Sequence, residues 1–142
     1  MPTRVPFDYA LIRVVPRVER GEFLNVGVIV YCLKRDFLAA RTLVQPERLR
    51  ALDPQIDLPL VRGHLEALER VAAGDPEGGP IARLPQKERF HWLVAPRSTL
   101  VQVSPVHPGL CLSPERALER LLDGMVRVPE VAACEASGAG EE

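Results

Sequence analysis

Tyr9-Ala-Leu-Ile-Arg-Val-Val-Pro16, Asn25-Val-Gly-Val-Ile-Val-Tyr-Cys-Leu33 and Phe37-Leu-Ala-Ala-Arg-Thr-Leu-Val44 follow one another near the start of the chain. Each is apolar and rich in β-branched or aromatic residues, and each is bounded by charged or turn-forming residues, the pattern of strands. Arg17-Val-Glu-Arg-Gly-Glu-Phe-Leu24 separates the first two, and Gly21 permits a positive φ there, so a long hairpin loop is expected. Lys34-Arg-Asp36 makes a short charged turn into the third. Three strands in succession with short links predict an antiparallel meander.

Helical periodicity follows. Pro46-Glu-Arg-Leu-Arg-Ala-Leu52 has Pro in its first turn with an acid beside it. Asp57 can cap a second helix running to about Ala73, whose Leu58, Val61, Leu65, Leu68 and Ala72 form one apolar stripe. Gly74 to Pro80 is a connector. Pro85 to Leu93 reads as a short helix, Ser98 to Val103 as a later fourth strand, and Ser104-Pro-Val-His-Pro-Gly109 as a rigid loop. Ser113-Pro-Glu115 starts a last helix with a core face of Leu118, Leu121, Leu122 and Met125. The expected fold is α+β: a three-stranded antiparallel meander plus the later fourth strand, covered by helices on one face. Residues 1–128 form the expected single domain, and the small and acidic residues of 129–142 a disordered tail.

Composition narrows the function classes. The net charge is -1 and apolar residues make up 46% of the 142-residue chain. No global field draws it to nucleic acid. The longest apolar run, Leu24 to Leu33, falls short of the roughly 20 residues that cross a bilayer. The N-terminus has no apolar signal core, so a cytoplasmic location without membrane attachment is expected. Cys32, Cys111 and Cys134 are odd in number and form no CxxC pair, so neither a zinc site nor a disulfide framework is expected; no other metal and no cofactor is expected either.

Three clusters could carry binding. Arg13 lies inside an apolar strand, where a charge needs a partner or a ligand. If the hairpin folds about Arg20, Arg13 sits opposite Gly27, close to Arg17 and Asn25. Glu88-Arg-Phe-His-Trp-Leu-Val-Ala-Pro-Arg-Ser98 holds the only Trp, with Phe90, Leu93 and Val94 as anchors and Arg89, His91 and Arg97 free to converge on an anion. The loop at Ser104 could present Ser104 and His107. The expected function is a binding or adaptor domain with an Arg/His-lined site for an anionic small molecule or a partner protein. The alternative is an enzyme acting on a phosphoryl or acyl group with His91 or His107 as acid/base. Open edges of a small sheet also allow a homodimer.

The hairpin from Tyr9 to Cys32, the segment from Glu88 to Ser98 and Ser104-Pro-Val-His-Pro-Gly109 together resemble the bacterial family catalogued as domain of unknown function three-zero-three-seven. The likeness extends from about Tyr9 to Met125. It implies no activity. Members of that family are sometimes encoded beside a toxin-type protein kinase, which implies a partner role.

Overall fold

The computed structural model describes residues 3–97 and 99–128. Residues 129–142, where a tail was expected, lie outside the described residues. The strands are β1 (Val5–Val14), β2 (Leu24–Cys32), β3 (Phe37–Thr42), β4 (Val101–Val103) and β5 (His107–Cys111). The helices are α1 (Pro46–Leu52), α2 (Leu58–Ala73), α3 (Gln86–Leu93) and α4 (Pro114–Met125). The meander forms as expected, with β2 antiparallel to both β1 and β3. The hairpin loop closes through a single 3-10 turn, Val18–Arg20, ending at Gly21 with φ +70°. β4 and β5 both pair antiparallel with the far side of β1, giving an entirely antiparallel α+β sheet.

Two expectations are corrected. First, helices cover both faces. Ile12, Val14, Val26, Ile29 and Tyr31 pack with residues of α1, α2 and α3, whereas Leu11, Val28, Val30 and Cys32 pack with Ala117, Leu118 and Leu122 of α4. The cause is β2 itself. Every residue from Val26 to Cys32 is buried, and a strand apolar on both sides needs cover on both.

Second, the stretch after β4 is not simply a loop, because its second half is β5. β4 takes the Ile12–Val14 half of β1 and β5 the Val5–Tyr9 half. Between them Ser104 is buried and bridges the gap. Its N–H donates to the Leu11 carbonyl (2.8 Å), and its Oγ accepts from the Leu11 N–H (2.8 Å) while donating to the Pro105 carbonyl (2.9 Å). Pro105 has no N–H to continue a ladder, so the edge breaks there. Ser104 is thus a structural residue rather than one presented to a ligand.

The register also shifts. Ile12 pairs with Gly27 but Arg13 pairs with Asn25, so Val26 is an extra residue and the pair contains a β-bulge. Arg13 is therefore not opposite Gly27. A Cβ on Gly27 would come within 2.7 Å of the Arg41 carbonyl oxygen and 2.9 Å of Thr42 Cγ2, which is why this position carries no side chain.

The sheet ends are pinned by side chains. Glu69 of α2 accepts from both the N–H (3.1 Å) and the hydroxyl (2.8 Å) of Thr42, tying α2 to the end of β3. Ser113 and Asp57 cap α4 and α2 as expected. Among the described residues no helix is long and apolar enough to cross a membrane.

In urea-induced unfolding, Gly27→Ala is expected to lose roughly 1–3 kcal/mol through overpacking against backbone. Ser104→Ala should lose a similar amount, roughly 1–3 kcal/mol, by leaving the Leu11 N–H buried without a partner. Gly63→Ala, in the middle of α2 with nothing within 4 Å of the new Cβ, should gain roughly 0.5–1 kcal/mol.

Candidate functional site

The expected binding residues do not converge. Arg89 is spent on backbone. Its Nε donates to the Leu84 carbonyl (2.9 Å) and its Nη1 to the carbonyls of Val71 (3.0 Å) and Ala72 (2.9 Å). The last carbonyls of a helix lack intrahelical partners and carry partial negative charge, so a guanidinium there closes the C-terminus of α2. Arg97 does the same for α3. Its Nη1 donates to the Leu93 (2.7 Å) and Ala95 (3.2 Å) carbonyls and its Nη2 to that of Trp92 (3.1 Å). The guanidinium lies 4.8 Å from the centre of the Trp92 ring, and burial pushes its pKa below the ordinary value.

Arg13 and Asn25 do meet, as cross-strand partners on the face that carries α4. The Arg13 guanidinium stacks 4.2 Å over the exposed Phe23 ring. Asn25 Nδ2 donates to the Met125 carbonyl at the end of α4 (3.3 Å). Arg13 Nε and Asn25 Oδ1 are buried without a partner. Arg17 is exposed on the hairpin turn, where Arg20, not Arg13, pairs with Glu22 (2.9 Å).

The histidines are separated. His107 is exposed on β5, its ring 5.4 Å from that of Tyr9, which packs on the α4 face. His91 is exposed on α3, on the other face. His64 lines a different cleft with Trp92, Arg97 and Thr99. No proton relay can join His91 to His107 across the sheet. Among the described residues, no three His, Cys, Asp or Glu side chains gather in a metal-binding arrangement.

Beside Arg97, a second expected residue faces a recess. His91 lines a cleft of about 330 Å³ with Asp8, Tyr31, Leu33, Lys87 and Phe90. Phe90, buried at the centre of α3, stacks on Tyr31 of β2 at 4.8 Å and supplies an aromatic floor. Lys87 and His91 stand one turn apart on α3, so both reach the same mouth, and Asp8 faces them from β1. Burial, followed by the negative charges of Asp36 and Asp8, pushes the Tyr31 phenol above its ordinary pKa, so it stays a neutral hydrogen-bonding group. An aromatic floor rimmed by an ammonium, an imidazole and a carboxylate suits an apolar side chain with a charged neighbour. Sequence reasoning found His91 but passed over Lys87 and Asp8. The spacing of four between Lys87 and His91, and the lone acid in Phe7-Asp8-Tyr9, were the available signals.

The model of the family described as "Protein of unknown function (DUF3037)" matches residues 9–126. No curated protein and no solved structure matches.

If Arg89 and Arg97 serve the helix ends, Arg89→Ala and Arg97→Ala should each cost about 1–3 kcal/mol in chemical denaturation, the range for hydrogen bonds from a charged donor. Arg89→Lys should recover little, because an ammonium cannot span the Leu84 and Val71–Ala72 carbonyls as the fork does. Arg17→Ala should stay within about 0.5 kcal/mol of the parent.

Proposed function

The chain belongs to this family of unknown function, so its role has to come from its own surfaces, and we propose that it is a small cytoplasmic binding domain rather than a catalyst. The observation that carries this is the cleft between α3 and the β1–β2 pair. It joins an aromatic floor of Phe90 and Tyr31 to Lys87, His91 and Asp8. The ligand it fits is a segment of a partner protein carrying an apolar side chain next to a carboxylate. The apolar group fills the recess over Phe90, and Lys87, with His91 beside it, pairs with the acid. Asp8 sets a limit: a dense polyanion would meet its repulsion, whereas a single carboxylate would not. A toxin-type protein kinase bearing such a segment is one partner consistent with this chemistry. The separation of His91 and His107 excludes only a mechanism that uses both; an enzyme working through one of them is the competing reading.

Selection from a random-peptide display library tests the cleft. Enriched peptides should share an apolar residue adjacent to Asp or Glu, and Lys87→Glu should weaken their binding about tenfold or more, with a smaller loss for His91→Ala. Peptides that lack this pair, or that bind Lys87→Glu as tightly as the parent, would show the cleft is not the site. Hydrolysis of p-nitrophenyl phosphate and p-nitrophenyl acetate should stay at the buffer rate. A turnover abolished by His91→Ala would revive the enzyme.

A further inference from the structure

A second recess lies on the opposite face, where the start of β1 meets the end of β5 and the first turns of α4. Arg4, Arg116 and Arg120 line this groove of about 310 Å³, together with Ser113 and the exposed Leu110 and Leu112. Arg116 and Arg120 are one turn apart on α4, so their guanidiniums rise from the same side of the helix. Arg35 stands close by, donating to the carbonyl of Thr3 (3.4 Å), the residue before Arg4.

These arginines differ from Arg89 and Arg97 in having nothing to hold. Among the described residues the guanidiniums of Arg4, Arg116 and Arg120 take part in no ion pair or hydrogen bond; only the backbone N–H of Arg116 is engaged, donating to the Ser113 hydroxyl that caps α4. Two carboxylates of α4 are engaged elsewhere, Glu119 with Arg41 and Asp123 with Arg127, while Glu115 accepts from the hydroxyl of Ser113 at the groove's edge (3.1 Å). Like charges one helical turn apart repel each other, and an arrangement that keeps three of them unpaired in one concavity is relieved by an anion. The positive end of the α4 dipole adds to the same field.

We infer that this groove binds a small phosphate-type oxyanion. Planar guanidiniums match its oxygens two at a time, which a ring of lysines would not do. The volume exceeds what one phosphoryl group needs, and Leu110 and Leu112 offer apolar contact to whatever carries it. A free polyphosphate and the phosphates of a nucleotide share this chemistry.

Isothermal titration of the full chain with inorganic pyrophosphate, and separately with ATP, tests the inference. Pyrophosphate should bind with a Kd below about 1 mM. Arg120→Gln alone should weaken it about tenfold, and Arg116→Glu with Arg120→Glu should abolish it. The circular dichroism spectrum should be unchanged in each variant, since both side chains are exposed. Arg17→Glu and Lys87→Glu carry a charge change elsewhere and should leave the affinity within twofold, which separates this groove from the α3 cleft. ATP binding more tightly than pyrophosphate would name an organic phosphate, and equal affinity would name the phosphates alone; both support the site. Absence of binding, binding insensitive to Arg120→Gln, or binding of a duplex DNA fragment where pyrophosphate does not bind would each overturn it.

Discussion

The exclusion of β2 from water governs the rest of the molecule. Val26, Val28, Ile29, Val30 and Cys32 have no exposed surface, and they point alternately to opposite sides of the sheet. A strand with two apolar faces is stable only between two layers, so α1–α3 and α4 have separate tasks. The first group closes one face with Leu49, Val61, Leu65, Phe90 and Leu93, and α4 closes the other with Ala117, Leu118 and Leu122. Both recesses follow from that division. The α3 cleft opens where the first layer stops short of the sheet end, and the arginine groove opens where α4 begins on the second.

Much of this order is written in periodicity. The three hairpin strands, the stripe of α2 and the Ser113-Pro-Glu start of α4 all follow local rules of alternation, capping and turn chemistry. What escaped is equally specific. The uninterrupted run Val26–Cys32 already implied cover on two sides, but one-faced cover is the common arrangement for an antiparallel sheet and prevailed. β5 hid behind prolines, since Pro105 before it and Pro108 within it read as loop punctuation, yet an edge strand has one side with no ladder to satisfy and accepts Pro108. Arg89 and Arg97 looked like ligand clamps because a sequence states that a guanidinium exists and not what it touches. For Arg89 the targets lie on another helix, at Val71 and Ala72.

The arginines therefore fall into two groups that composition cannot separate. Arg89 and Arg97 are locked to helix ends and act as parts of the scaffold. Arg4, Arg116 and Arg120 stand around a groove without an ion-pair partner among the described residues. A formal net charge of -1 conceals this local sorting. It also explains why this basic groove lies away from the Trp-containing segment that holds Arg89, His91 and Arg97.

The break between β4 and β5 has one more consequence. A continuous strand along β1 would expose a long row of free donors and acceptors, a template for any other chain in an extended conformation. Ser104 and Pro105 cut that row into pieces of three and five residues. Pro108 lies within the longer piece and removes one donor from it. On this edge, any extended segment from another chain finds only short, interrupted rows of donors and acceptors to pair with.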